Sequence, residues 1–198
     1  MDSNTLPAFA RFIEDLRAVW ARLPDDESRM KEGQRLLKGL LSDAGLIAHA
    51  RNWPSTEGRK NLLFYEDPDY GFVINGVVRR PGRTGSVHDH DRAWVAYGLL
   101  EGTETLERFE RLDDGTREGY AEVRRTGATT GKAGDVDLVA PFDIHAEQGG
   151  PTRSVAVILR STRVAGRVLQ GGYDPERNIY EKREGPEQIP YALDTLCA

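Results

Sequence analysis

The sequence has little cysteine and no long apolar run. Its one cysteine, Cys197, is the second-last residue of 198, so we expect neither a disulfide framework nor a cysteine metal site. The longest apolar runs are short, as at residues 155–159, and a membrane span needs about 20 apolar residues. The first residues lack the basic region and apolar core of a signal peptide. We therefore expect a cytoplasmic protein with no membrane partner.

Basic residues are fewer than acidic residues. The chain has 27 Lys+Arg against 32 Asp+Glu, a formal net charge of −5. The basic residues form no obvious cluster along the sequence, so we expect no nucleic-acid partner. A chain of this length buries roughly two-thirds of its unfolded surface. The length therefore predicts one domain, residues 1–198.

Residues 1–50 have helical periodicity. Apolar residues recur every three or four positions over residues 9–23. Acidic residues at 25–27 favour a second helix start, because they complement the positive end of the helix dipole. Leucines within residues 36–41 supply its buried stripe, and Gly45 fits a C-cap. The pattern predicts two amphipathic helices.

Residues 58–162 change to short strand candidates separated by turn-rich segments. The candidates are residues 62–65, 72–78, 94–100, 105–111, 121–125, 135–139 and 155–159. Many short strands with regular turns indicate a mainly β sandwich or closed barrel. Residues 163–198, which include Gly171 and Gly172, have a looser pattern. We expect them to form an irregular C-terminal arm over the barrel.

Histidine is rare but clustered. Two of the four histidines form His88-Asp89-His90. In a strand both imidazoles project to one side and Asp89 to the other, so the pair can chelate one metal ion. With His145 from a later strand they would form an imidazole-rich divalent metal site. The alternative for His145 is a buried histidine bonded to a carbonyl, and we expect His49 to have a structural or surface role.

The surroundings of these histidines resemble the two cupin motifs. Gly82 and Gly102 stand at the ends of a segment that matches the first motif, except that Val95 replaces its glutamate. Residues 134–149, which contain His145, are similar to the second motif, although the proline comes one residue late. The resemblance implies a cupin double-stranded β-helix, a jelly-roll barrel.

Within the cupins, residues 58–162 resemble cysteine dioxygenase and its bacterial thiol dioxygenase relatives. Residues 85–90 are similar to their metal-binding segment, and these enzymes also lack the cupin glutamate. The resemblance implies an iron(II) site with His88, His90 and His145 as the ligands. Nickel, manganese and zinc stay open as the metal of the isolated protein.

The resemblance also indicates substrate-binding cations. The family arginine that binds the substrate carboxylate aligns with Lys60, or with Arg59 after a one-residue shift. The family's Ser-x-His-x-Tyr array is replaced by Ala156, Ile158 and Arg160, which share one face of their strand. Arg160 either enters the cavity, where its guanidinium suits a carboxylate or other planar anion, or points into solvent.

Aromatic and acidic side chains complete the candidate site. Tyr97, Trp94 and Phe142 are candidates for the cavity wall, with a core position as the alternative. Asp143 and Glu147 each stand two residues from His145, so on a strand they share its face. Either is a minor candidate for a carboxylate ligand.

The resemblance implies a non-haem iron(II) dioxygenase that uses dioxygen and acts on a small thiol or organic acid. A cupin isomerase or lyase, in which a redox-inert metal acts as a Lewis acid, is a second enzyme class. The third alternative is a cupin that binds a small molecule without catalysis. A homodimer is left open.

Overall fold

The computed structural model describes residues 5–163 and 166–195, so Cys197 lies outside the described residues. Three helices occupy the N-terminal quarter: α1 (Pro7–Arg22), α2 (Asp26–Leu40) and α3 (Ala44–Ala50). The prediction of two helices was therefore wrong by one. None of the described helices has the length and apolar character needed to cross a bilayer.

The predicted second helix is divided by a short turn. It starts as predicted, because the Asp25 side chain accepts a hydrogen bond from the Ser28 N–H at 2.8 Å. It ends at Leu40, and Gly45 lies inside α3 instead of capping α2. The chain re-enters a helix because Asp43 caps Leu46 N at 2.8 Å.

Twelve strands are present in the described residues. In chain order they are β1 (Lys60–Glu66), β2 (Val73–Arg79), β3 (Val87–His88), β4 (Val95–Glu101), β5 (Thr103–Arg111), β6 (Val123–Lys132), β7 (Val136–Val139), β8 (Ile144–Gly149), β9 (Ser154–Arg160), β10 (Gln170–Asp174), β11 (Ile179–Arg183) and β12 (Glu187–Pro190). They form two six-stranded sheets, ordered β12-β1-β2-β9-β4-β7 and β11-β10-β3-β8-β5-β6.

The strand pairing defines the fold. Strands β2 and β9, β3 and β8, β4 and β7, and β5 and β6 are antiparallel pairs. This is the pattern of one long hairpin, bent between β5 and β6 and wound into two sheets. It is the jelly roll, or double-stranded β-helix, of the cupins. The predicted mainly β cupin fold is confirmed.

Strand β9 is buried on both faces. Val155, Val157 and Leu159 belong to the core cluster that includes the helices. Ala156 and Ile158 belong to a second cluster inside the barrel. Burial on both faces accounts for the continuous apolar run at residues 155–159. Arg160 follows Ile158 by two residues, so alternation along the strand directs its side chain inward as well.

The prediction of an irregular C-terminal arm was wrong, because the arm contains strands β10, β11 and β12. Strand β10 pairs with β3, and β12 pairs in parallel with β1. A Cβ atom at Gly171 would lie only 2.1 Å from Asp89 Oδ2, so this glycine permits a close approach inside a strand. The glycine pair therefore signalled packing and not a loose turn. The arm lies directly beside the strand that carries His88.

Candidate metal centre

The three predicted histidine ligands meet inside the barrel. His88 ends β3, His90 follows two residues later, and His145 lies on β8. His88 and His145 are register partners across the β3–β8 pair. One potential ligand atom from each histidine lies within 4.8 Å of the other two. Only His88 and His145 are in strands, because β3 ends before His90.

Two of the histidines are oriented by backbone carbonyls. Nδ1 of His88 lies 2.9 Å from the Ser86 carbonyl oxygen, and Nδ1 of His145 lies 2.9 Å from that of Asp143. A carbonyl only accepts, so Nδ1 carries the proton and Nε2 keeps its lone pair. Nε2 of His145 is buried without a hydrogen-bond partner in the described part of the chain. Such an orphaned lone pair fits a metal ligand.

The third histidine contacts a side chain from the C-terminal arm. Nδ1 of His90 lies 2.7 Å from the Gln170 amide, which is on β10. An amide can present its oxygen to the same position by rotating 180°. Gln170 Oε1 would then accept the Nδ1 proton of His90 and leave Nε2 free for a metal. The sequence analysis missed Gln170, because no motif includes it.

The imidazoles of His88 and His90 are held neutral by their surroundings. Burial, with His145 nearby, lowers the pKa of His88 to about 4. Burial and the adjacent Arg160 guanidinium hold the pKa of His90 well below its usual range. Neutral imidazoles bind a metal without first losing a proton. Three neutral ligands also leave a divalent ion with its full charge, which favours anionic substrates.

Arg160 faces the cavity, so the solvent-facing alternative is wrong. Its exposed fraction is 5%, and its guanidinium NH1 lies 3.3 Å from His90 Nδ1. No carboxylate forms a salt bridge with it among residues 5–163 and 166–195. Burial lowers the pKa of Arg160 to about 10, which leaves it charged at neutral pH. Glu147 attracts this charge without forming a salt bridge with it, so the guanidinium is open to an anionic ligand.

The two carboxylates beside His145 differ in position. Glu147 Oε1 lies 3.6 Å from His145 Nε2, and its Oε2 lies 3.8 Å from Arg79. Burial alone would raise the pKa of Glu147, but Arg79 and the neighbouring histidines hold it well below its usual range. Asp143 is turned towards Arg108 NH1, 3.6 Å away, so its candidacy as a ligand was wrong. Glu147 stays a minor candidate.

Tyr97 lines the cavity and belongs to a buried hydrogen-bond network. Its hydroxyl donates to Glu104 Oε2 at 2.9 Å. Glu104 also accepts from the Ser154 hydroxyl at 2.5 Å and from Arg79 at 3.2 Å. Burial raises the pKa of Tyr97 well above its usual value. The network was not foreseen, although alternation along β2 places Arg79 on the same face as Val77, a cavity residue.

The remaining predicted residues separate into two groups. Arg59 and Lys60 are exposed and lie at the mouth of the cavity. Trp94 packs against the helical core cluster, and Phe142 is 62% exposed. Neither Trp94 nor Phe142 lines the cavity, so these two candidates were wrong.

The cavity is small and strongly cationic. Its free volume is about 80 Å³, and Val77, Val95 and Ile158 form an apolar part of its wall. It has six cationic and two carboxylate side chains: Arg59, Lys60, Arg79, Arg83, Arg160 and Arg183, and Glu57 and Glu147. This excess of positive charge contrasts with the net charge of −5 for the chain.

Comparison with protein-family models gives no match, and neither does comparison with curated proteins. Solved structures do match. A conserved protein with a double-stranded beta-helix domain from Klebsiella pneumoniae is 15% identical, with 69% of this chain and 88% of that chain covered and a TM-score of 0.42. KdgF from Halomonas sp. is 19% identical, with 58% and 89% covered and a TM-score of 0.41.

Oxalate oxidase in complex with the substrate analogue glycolate is 19% identical, with a TM-score of 0.43. The alignment covers 62% of this chain and 59% of that chain, less than two thirds of the oxalate oxidase. Because all three TM-scores are below 0.5, the fold is assigned from the strand pairing of this chain. The strand pairing gives the chain the double-stranded β-helix fold, and three histidines converge inside the barrel.

Proposed function

We propose that the protein is a non-haem iron(II) dioxygenase that acts on a small anionic substrate, an organic acid or a thiol carrying an acid group. The observation that carries the proposal is the pairing of a buried three-histidine cluster with Arg160, a buried guanidinium that has no carboxylate partner in the described residues. The first can hold a metal with open positions, and the second can hold the acid group of a substrate beside it.

The side chains have separate tasks in this proposal. His88, His90 and His145 hold the metal through nitrogen lone pairs, which hydrogen bonds at the opposite ring nitrogens orient. Iron(II), when bound, supplies redox chemistry with dioxygen at open coordination positions. Arg160 orients the substrate by charge-assisted hydrogen bonds. In a dioxygenase both oxygen atoms enter the product, so the substrate supplies the electrons and no external reductant is required.

The substrate pocket departs from that of the thiol dioxygenases. Ala156 and Ile158 face the barrel interior where the family's serine and histidine stand, and they offer no hydrogen bond. Arg160 stands where the family has tyrosine. The change replaces neutral hydrogen-bond donors by a permanent positive charge. It favours a substrate recognised by its acid group over one recognised by a thiol alone.

The test is oxygen consumption by the iron-loaded protein with a panel of small organic acids and acid-bearing thiols. We expect stoichiometric dioxygen uptake with at least one of them and incorporation of both atoms of ¹⁸O₂ into the product. The R160K variant should bind the same substrate at least about tenfold more weakly, because an ammonium cannot make the bidentate contact. Turnover of the substrate under strict anaerobiosis would contradict the dioxygenase proposal.

A metal-dependent lyase or isomerase is the second candidate, and one observation favours it. The Tyr97 hydroxyl lies in the cavity wall and is hydrogen-bonded to the buried Glu104. Such a pair can hold or deliver a proton, which redox-neutral chemistry needs. Oxygen-independent turnover that is lost in Y97F would establish this alternative.

A further inference from the structure

The mouth of the metal cavity carries a second group of cations. Arg183 at the end of β11, with Arg59 and Lys60 at the start of β1, lines the same cavity as Arg160. We call Arg59, Lys60 and Arg183 the rim cluster. Arg160 is almost completely buried, whereas Arg59 and Lys60 are exposed, so the two groups of charge lie at different depths.

Arg183 is only partly satisfied by protein atoms. Its NH2 donates to the Ser86 hydroxyl at 2.9 Å, but its Nε is buried without an acceptor in the described residues. Its carboxylate partner within the described residues, Glu181, lies 3.6 Å from NH1 and has a side chain that is 62% exposed. The guanidinium lines the cavity wall without a buried carboxylate beside it in the described residues, so its terminal nitrogens can also bind an anionic ligand.

Arg59 adds a second positive charge to the rim cluster, and its backbone conformation is strained. Its backbone has φ of 61°, in the left-handed region that a non-glycine residue rarely adopts. Its NH2 donates to the Glu184 carbonyl, which directs the side chain towards the arm that carries Arg183. Burial, and repulsion from Arg59, lower the pKa of Arg183. Two guanidinium groups that repel each other are stabilised when an anion binds between them.

We propose that the rim cluster is a second anion subsite, so that the cavity takes small organic acids with two acid groups, one bound by Arg160 and the other by Arg183 at the mouth. The inference rests on the proposed function only in placing the reacting end of the substrate beside the metal. It adds a substrate class, dianionic organic acids, and a specificity-determining residue, Arg183, that the sequence patterns did not indicate.

The test compares acids of equal carbon number that differ by one carboxylate. Malonate, succinate and glutarate are measured against propionate, butyrate and valerate by calorimetric titration of the zinc-loaded protein, since zinc does not react with dioxygen. We expect at least one dicarboxylate to bind about tenfold or more tightly than its monocarboxylate partner, as a further charge-assisted contact would give.

Three variants test which residues cause the preference for dicarboxylates. R183Q should reduce the ratio of the two affinities to less than about threefold while changing monocarboxylate binding little. K60Q should reduce the ratio in part. Because Lys60 is exposed, we expect this substitution to leave folding intact. R11Q, on the exposed surface of α1, removes the same charge away from the cavity and should leave the ratio unchanged.

Each contrary result has a distinct meaning. Equal binding of the paired acids by the wild type would overturn the second subsite. A dicarboxylate preference that persists in both R183Q and K60Q would assign it to chelation of the metal and would also overturn the subsite. If the preference is found but no acid supports oxygen uptake by the iron-loaded protein, the dioxygenase proposal fails and the subsite stands.

Discussion

Each histidine of the cluster has its own hydrogen-bond partner at Nδ1. Two acceptors, the Ser86 and Asp143 carbonyls, lie within two residues of the histidine that they orient. The third partner, the Gln170 amide, comes from a strand 80 residues away. The local acceptors follow from the backbone around each histidine, whereas Gln170 depends on how the C-terminal arm folds back. The metal affinity should therefore be sensitive to a single residue far from the motifs.

Replacing Gln170 by leucine should weaken metal binding about 10- to 100-fold without abolishing it, because His90 loses its orienting partner. Competition with a chromogenic chelator measures the dissociation constant. Q170E keeps an acceptor at this position and should retain most of the affinity. An unchanged dissociation constant in Q170L would show that the amide does not orient His90.

The elements differ in how well the sequence predicts them. The seven predicted strands overlap β1, β2, β4, β5, β6, β7 and β9. Only the first three residues of β6 were predicted, because most of that strand is polar and exposed. Strand β3 has only two residues, and β8 is mostly polar and includes His145, so neither has an apolar pattern from which a strand could be predicted. Strands β10 to β12 were missed because Gly171 and Gly172 suggest a turn when their neighbours in space are unknown.

The candidate site was predictable to a similar extent. The spacing of His88, His90 and His145 was sufficient to predict a cluster. Alternation along β9 placed Arg160 on the face of Ala156 and Ile158 but left open whether its side chain enters the cavity. The contribution of the arm was not predictable, since Gln170 and Arg183 reach the site only through the β3–β10 and β10–β11 pairs. Long-range pairing of short strands leaves little trace in local sequence.

The close contact between β10 and the histidine loop gives the first test at this scale. G171A would place a Cβ 2.1 Å from Asp89 Oδ2, so either the buried Asp89 side chain or β10 must shift. We expect a loss of about 1–3 kcal/mol in the free energy of unfolding, as for other overpacked sites, together with weaker metal binding. Urea unfolding and chelator competition measure the two effects.

G127A, in β6, is the matched control, because no atom lies within 4 Å of the added methyl group. It should change both quantities little. If G171A behaves like G127A, β10 does not pack tightly on the loop that carries Asp89.

The docking of α1 on the barrel gives a pH-dependent test. Asp67, in the turn between β1 and β2, accepts hydrogen bonds from Tyr70 N at 2.8 Å and from Arg17 of α1. Burial would raise the pKa of Asp67, but these hydrogen bonds lower it below its usual value. The stabilisation is therefore present above the unfolded-state pKa of about 3.9 and is lost as the pH falls through the lower folded-state pKa.

D67N should reduce the free energy of unfolding at pH 7 by about 2 kcal/mol and flatten the decline in stability below about pH 4. Urea unfolding between pH 2.5 and 7 measures both. D69N removes an exposed partner of the same Arg17 and should cost less than about 1 kcal/mol. If the free energy of unfolding falls equally steeply with decreasing pH in D67N and in the wild type, Asp67 is not the source of the acid sensitivity.

At the scale of the whole molecule, charge is unevenly distributed. The chain carries a net charge of −5, yet cations outnumber carboxylates six to two around the metal cavity. Most of those cations are arginines, which stay charged and suit carboxylates. A cavity of one sign in a barrel of the other sign concentrates anionic ligands at its mouth. The fold thus supplies both a candidate metal site and a field that would draw an anionic ligand to it.

The most direct measurement is the metal content of the purified protein after anaerobic loading with iron(II), determined by elemental analysis for the wild type, H145A and H49Q. His49 is the matched control, since it is also buried but accepts a hydrogen bond from Trp53 Nε1 at 2.9 Å, outside the cluster. The account predicts one iron per chain in the wild type and in H49Q and none in H145A. Full metal content in folded H145A would contradict it.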